Sequence, residues 1–229
     1  MTGMEILRSW KPLDVVVTLS GGVVLLLLLS ALTSVTGSET LAALFAFDKE
    51  ANVVTWYAIF LWLFLAVVLR LMARKYDRAS RRQVARAAST LGYLAVFFSI
   101  DEAAELSLKI RLVIQEFDLT PETLDQDQIW LFLYGSLLVL ILLAIAPGLV
   151  DLSKISPKSM TGLAVGGAML LAAGYGLEVI PSIKSLSFEP VVEEALELGA
   201  VILMIWGALH GLGYIQVVER YLSDAQETG

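Results

Sequence analysis

Six apolar runs, each long enough to cross a bilayer as a helix, constrain this chain more than any other feature. They lie at about residues 15–35, 53–72, 88–109, 129–150, 161–180 and 191–215. A spanning helix needs about 20 predominantly apolar residues. With no water in the bilayer core, such segments satisfy their backbone groups internally as helices. The expected fold is therefore all-α: one transmembrane domain over residues 1–229, built as a six-helix bundle. The mean hydropathy of +0.76 fits this, with 57% hydrophobic and 17% charged residues where a soluble domain carries about 25% charge. The first run follows Arg8 and Lys11 as a signal peptide would. Its length exceeds the roughly 7–15 residues of a signal-peptide core, so a retained anchor is expected.

Basic residues set the orientation, because Lys and Arg concentrate in cytoplasmic loops. Between the second and third runs stand Arg74, Lys75, Arg78, Arg81, Arg82 and Arg86. With that loop inside, both termini are cytoplasmic. Of the 16 basic residues only Lys49, Lys109, Arg111 and Lys184 then fall outside. The inner (plasma) membrane of a cell is the expected location. Two outer segments carry helix signals. Ser38 is positioned to cap a short helix within residues 38–50, with Leu41, Leu44 and Phe45 at the spacing of a helix lying on the membrane surface. Thr120 and Pro121 begin a second such segment, as N-cap and first helical residue.

The composition excludes several functions. A net charge of −7 speaks against nucleic acid as a partner, and the absence of Cys removes thiolate metal sites. One His leaves no zinc triad, and neither zinc nor haem is expected. A di-iron bundle uses Glu-x-x-His pairs, which the chain lacks. Membrane lipid is the obvious partner.

The anomaly is in the third run, "FFSIDEAAELSLKI". Asp101, Glu102 and Glu105 stand in a segment that otherwise suits lipid. At 1.5 Å per residue, Asp101 lies roughly 18 Å from the cytoplasmic edge. Glu178, late in the fifth run, and Glu193 and Glu197, early in the sixth, fall in the same outer third; Glu194 stands beside Glu193 at the mouth of that run. Asp101 with Glu105, and Glu193 with Glu197, are i and i+4 pairs on one helix face. Small residues flank them, among them Gly174, Gly176 and Gly199, and Gly162/Gly166 and Gly207/Gly211 have the spacing that lets helices approach closely in lipid. The third, fifth and sixth runs are therefore expected to pack together with their acids facing, and the bulkier first, second and fourth to meet lipid.

A charge at the bilayer centre costs about 2.5–3.5 kcal/mol on insertion scales. Paired cations, shared protons or a bound cation relieve it. Lys109, Arg111 and Lys184 are the cations in reach, and Glu105–Lys109 has the favourable i, i+4 order. They are fewer than the acids. Close carboxylates in low dielectric share protons, and oxygen ligands suit hard cations such as Ca²⁺, Mg²⁺ or Mn²⁺. Asp101, Glu102, Glu105, Glu178, Glu193 and Glu197 are the candidate site. His210, some 13 residues beyond Glu197, reads as a hydrogen-bonded interior residue.

At these positions "SIDEAAEL" (Ser99 to Leu106) resembles the S-L-D-E motif of a group of multi-pass bacterial membrane proteins without an assigned function. "EEALELG" (Glu193 to Gly199) and Glu178 resemble that group's later acidic motifs, of E-E-x-L-E form. The group continues L-H-E, whereas here Leu106 is followed by Ser107 and Leu108. A more distant likeness is to the alkaline ceramidase and adiponectin-receptor superfamily, whose zinc needs three His ligands that this chain lacks. Three functions follow as expectations: a proton- or cation-binding transporter, channel or sensor; an accessory or assembly subunit among other membrane subunits; and a membrane-embedded hydrolase. The last lacks a nucleophile–base pair and a metal triad, so an enzyme is the weaker reading. Topology is checked by replacing Ser80 with Cys in this Cys-free chain: in sealed cells a membrane-impermeant thiol reagent is expected to leave position 80 unlabelled, and labelling from outside overturns the orientation.

Overall fold

The computed structural model describes residues 11–47, 52–116, 126–173 and 189–227. Every regular element among them is a helix. In chain order these are α1 (Pro12–Thr36), α2 (Glu39–Phe45), α3 (Val53–Arg78), α4 (Arg82–Ala104), α5 (Leu106–Glu116), α6 (Gln126–Ile155), α7 (Pro157–Leu171) and α8 (Glu189–Glu227). Four stretches are long and apolar enough to cross a membrane: Pro12–Thr36, Val53–Arg78, Gly135–Ile155 and Pro190–Gly213. α4 mixes its apolar run with Arg82, Arg86, Asp101 and Glu102, and α7 is described over only 15 residues, so neither meets that length-and-composition rule.

Local chemistry places the helix ends. Gly37 ends α1 with φ +63°, a left-handed conformation that glycine adopts without a Cβ penalty, and its N–H donates to Thr33 O. Ser38 caps α2 as expected, its hydroxyl accepting from Leu41 N–H, but the helix stops at Phe45. Residues 48–50 of the expected surface helix, and Thr120 and Pro121, lie outside the described residues. Asn52 caps α3: its side-chain oxygen accepts from Val54 and Thr55 N–H, while its amide donates to Ala46 O at 2.5 Å. One buried side chain thus fixes both the end of the α2 segment and the start of α3.

α3 is the centre of the bundle. It buries 11 of its 26 residues on one broad face, and Leu61, Val68 and Met72 are wholly inaccessible. It packs against α4 in a hairpin and against α8, which in turn packs against α7 and α1; α6 bridges α4 and α7. Only a narrow stripe of α1 is buried, Val15, Leu19, Val23 and Leu26 at spacings of three and four, while Val17, Leu25 and Leu28 are exposed. α6 likewise buries little and exposes Leu137, Leu140 and Leu143. Exposed faces of this kind suit lipid.

Two expectations are corrected here. The second run is not chiefly a lipid-facing helix: one face of it forms the core, and Trp56, Phe60, Leu63 and Val67 on another face are exposed. Total apolarity cannot separate a lipid-facing helix from a buried one; the interleaved Ala58, Ala66 and Ala73 allow partners to approach α3, and all three are buried. Among the described residues the third, fifth and sixth runs do not pack as one cluster along their lengths: α7 and α8 pack closely, but α4 lies mainly against α3 and α6.

The α7–α8 contact is made by glycine. A Cβ on Gly162 would stand 2.6 Å from the Gly207 Cα, and one on Gly207 would stand 2.7 Å from Ser159 O. A Cβ on Gly166 would stand 2.6 Å from Ala200 O. Gly211 is equally close to Ser159 Oγ and Met72 Sδ, which ties α3 into the same seam. The GxxxG spacings therefore do mark helix contacts. Gly199 marks no such close approach, since a Cβ there meets only Met169 Cε of α7 at 3.7 Å, an ordinary contact. Gly174 and Gly176 lie outside the described residues. Between α1 and α3, Tyr57 donates its hydroxyl to Leu19 O at 2.6 Å, and Gly22 leaves room for the Tyr57 ring.

Gly207→Ala and Gly213→Ala make the same chemical change in one helix. At Gly213 nothing lies within 4 Å of the new methyl group, whereas at Gly207 it meets the backbone of α7. Gly207→Ala is expected to destabilise by about 1–3 kcal/mol, and Gly213→Ala to be neutral or mildly stabilising, as helix propensity favours Ala by up to about 1 kcal/mol. Unfolding of both variants in detergent checks this; equal stability overturns the assignment of Gly207 to a tight seam.

Candidate functional site

The carboxylates collect where the end of α4 meets the start of α8. Asp101 and Glu102 occupy the last turn of α4. Glu193, Glu194 and Glu197 occupy the first turns of the described part of α8. All five are half-buried. Glu102 lies within electrostatic range of both Glu194 and Glu197, and Glu193, Glu194 and Glu197 interact with one another along α8. Two helices that do not pack along their length therefore bring their acids together at one end.

Glu105 breaks the helix. Its φ of 50° is left-handed, so α4 stops at Ala104 and α5 begins at Leu106. The break corrects the expectation of one helix running to residue 109, and with it the continuous face shared by Asp101 and Glu105. Glu105 starts α5 instead: its carbonyl accepts from Lys109 N–H at 2.9 Å. Lys109 sends its ammonium to Ala104 O at 2.5 Å. A cation on a free carbonyl at a helix C-terminus is a favourable arrangement. It explains what holds this junction, and it gives Lys109 a backbone partner where the sequence suggested Glu105.

Glu178 and Lys184 lie outside the described residues, and so does the Arg111 side chain. Among the described residues no group of three or more His, Asp or Glu is arranged to hold a metal ion. His210 lies edge-on to the Trp206 ring, with centroids 4.6 Å apart, at the far end of the apolar stretch of α8. It is remote from the acids. Glu194 is the residue that sequence reasoning under-weighted. The i, i+4 pairing of Glu193 with Glu197 drew attention past it, yet Glu194 and Glu197 are i and i+3, which also share a face.

A concavity of about 330 Å³ opens between α3, α4, α6 and α7. Trp62, Leu65, Phe98, Leu142 and Leu163 line it, and it is almost wholly apolar.

A helical bundle with four such apolar stretches is an integral membrane protein. Residues 15–211 match a family described as a domain of unknown function (DUF8692), and the chain belongs to that family. No curated protein and no solved structure matches it.

The left-handed backbone at Glu105 gives a direct test of the junction. A residue with a Cβ is strained there by about 1–2 kcal/mol. Glu105→Gly is expected to relieve part of this and raise stability by about 0.5–1 kcal/mol. A variant less stable than wild type in thermal unfolding would instead show that the Glu105 side chain contributes more than its backbone conformation costs.

Proposed function

We propose that this integral membrane protein carries a proton-exchanging site in the outer leaflet, formed by Glu102, Glu193, Glu194 and Glu197, in a six-span bundle with both termini in the cytoplasm. The observation that carries the reading is the electrostatic proximity of Glu102 on α4 to Glu194 and Glu197 on α8. Half-buried carboxylates so placed interact unfavourably when all are ionised, and a shared proton relieves the repulsion without a cation. Protons are favoured over a hard cation because the described acids do not converge as a ligand set. Asp101 and Glu105 flank the site, and Glu178 belongs to it on the sequence argument alone. A site that binds and releases protons at one membrane face suits a transporter, channel or sensor. The plasma membrane is the location that the basic-loop pattern supports.

Glu197→Gln keeps the side-chain volume and removes one charge. The variant is expected to fold with stability close to wild type. Infrared difference spectra recorded across neutral pH are expected to show a protonated-carboxyl band in wild type, and a diminished or shifted band in Glu197→Gln and Glu102→Gln. A wild-type protein without that band at neutral pH overturns the reading. Strong destabilisation of both variants would identify the acids as parts of a structural network, since removing one partner from a buried ion pair costs about 3–5 kcal/mol.

A further inference from the structure

The other end of the α3–α4 hairpin holds a polar cleft that the carboxylate site does not use. Arg70 and Arg74 on α3 and Arg82 and Arg86 on α4 line it, around a volume of about 530 Å³. Its floor is Ala73 and Ala85, both buried, whose small side chains keep the space open. One acid, Asp77, shares the lining, so four guanidinium groups face a single carboxylate.

Arg70 is the unusual member. It lies two residues inside the end of the second apolar run, about 3 Å along the helix, and is half-buried where Arg74, Arg82 and Arg86 are exposed. Three neighbours fix it. Its guanidinium donates to Ser89 Oγ and lies 4.8 Å over the Tyr93 ring. Gly92 lets its aliphatic stem cross α4: a Cβ there would stand 3.3 Å from both Arg70 Cγ and Cδ. A guanidinium has five N–H donors, more than one serine hydroxyl satisfies. Arg70 is thus a pre-oriented donor at the level of the lipid headgroups, rather than a long side chain left to find water.

The apolar surface below the cleft continues its line. On α3, Val67, Leu63 and Phe60 follow Arg70 at spacings of three and four, and all are exposed. On α4, Tyr93, Val96 and Phe97 are exposed beyond Arg86 and Ser89. A ligand matching both parts carries a phosphate and hydrocarbon chains.

We propose that this cleft binds the phosphodiester headgroup of an anionic phospholipid, with its acyl chains along the exposed α3–α4 face. Planar guanidinium groups match phosphate oxygens in pairs, and basic pockets between helices on the cytoplasmic side hold anionic headgroups. The apolar track that begins at Arg70, at the edge of the apolar run, selects a lipid over a free anion, which has no use for it. This site stands at the opposite end of the hairpin from the carboxylates and does not depend on them.

The test measures phosphatidylglycerol binding to the purified full-length protein in neutral detergent, by native mass spectrometry and by the rise in Tm on adding the lipid. Phosphatidylcholine and inorganic phosphate serve as comparison ligands. Arg74→Gln/Arg86→Gln removes two charges from the cleft. Arg78→Gln/Arg81→Gln removes two charges from the same loop outside it. Phosphatidylglycerol is expected to bind and stabilise wild type and the Arg78/Arg81 variant to within about threefold of each other. Binding to the Arg74/Arg86 variant is expected to fall about thirtyfold, near fivefold for each basic residue lost. Equal losses in the two double variants would reduce the effect to general loop charge and overturn the site. Stabilisation by inorganic phosphate equal to that by phosphatidylglycerol would make it a free-anion site and overturn the lipid assignment, as would equal binding of phosphatidylcholine.

Discussion

Backbone-to-backbone contact between α7 and α8 at Gly162 and Gly207 is the constraint on which the bundle depends. In lipid the hydrophobic effect does not drive one apolar helix onto another, because acyl chains are as apolar as leucine. Close van der Waals packing must do it instead. The absent side chains at Gly162, Gly166 and Gly207 bring the two helices to near contact, and Gly211 brings in Met72 of α3. The α3–α4 pair meets this assembly mainly through α3, whose inaccessible Leu61, Val68 and Met72 give one face of that helix to the protein interior while Phe60, Leu63 and Val67 stay exposed on another.

The position of the acids follows from this packing. α8 lies against α7, α3 and α1, so its first turns emerge beside the upper end of α3, and the hairpin carries the end of α4 to the same place. Glu102 then reaches Glu194 and Glu197 although α4 and α8 are not packed along their lengths. The break at Glu105 turns the chain aside at this point, and Lys109 closes the broken helix end. The polar groups at the two ends of the hairpin are opposite in sign. Acids gather at one end, the proposed outer one, and arginines at the other, the proposed cytoplasmic one.

Much of this was legible in the residues. Four of the apolar runs coincide with helices long and apolar enough to cross a membrane, Ser38 caps α2, and the GxxxG pairs of α7 and α8 are contact points. The helices nevertheless run further than the apolar residues do: α3 continues through Arg74 and Lys75 to Arg78, and α4 already begins at Arg82. Hydropathy marks where lipid is tolerated, while helix propensity, which is high for Arg, Lys and Ala, marks where the helix ends. Pro147 stands within α6 without ending it. Glu105 carries no sequence signal for its left-handed backbone, since glycine or asparagine would be the residue expected there.

The sequence by itself determined that the chain is helical and membrane-embedded, that Ser38 caps a short helix, which loop is basic, and that acids stand in segments that lipid disfavours. These are properties of single segments, set by transfer of side chains from water, by capping groups and by charge. Which apolar helix is buried was decided only by the tertiary structure. So was the pairing of α4 with α3 rather than α8, and so was the meeting of Glu102 with Glu194 and Glu197. Lipid and protein interior are almost equally apolar, so composition cannot say which of them a leucine will face. That choice rests on the fit of one helix surface to another.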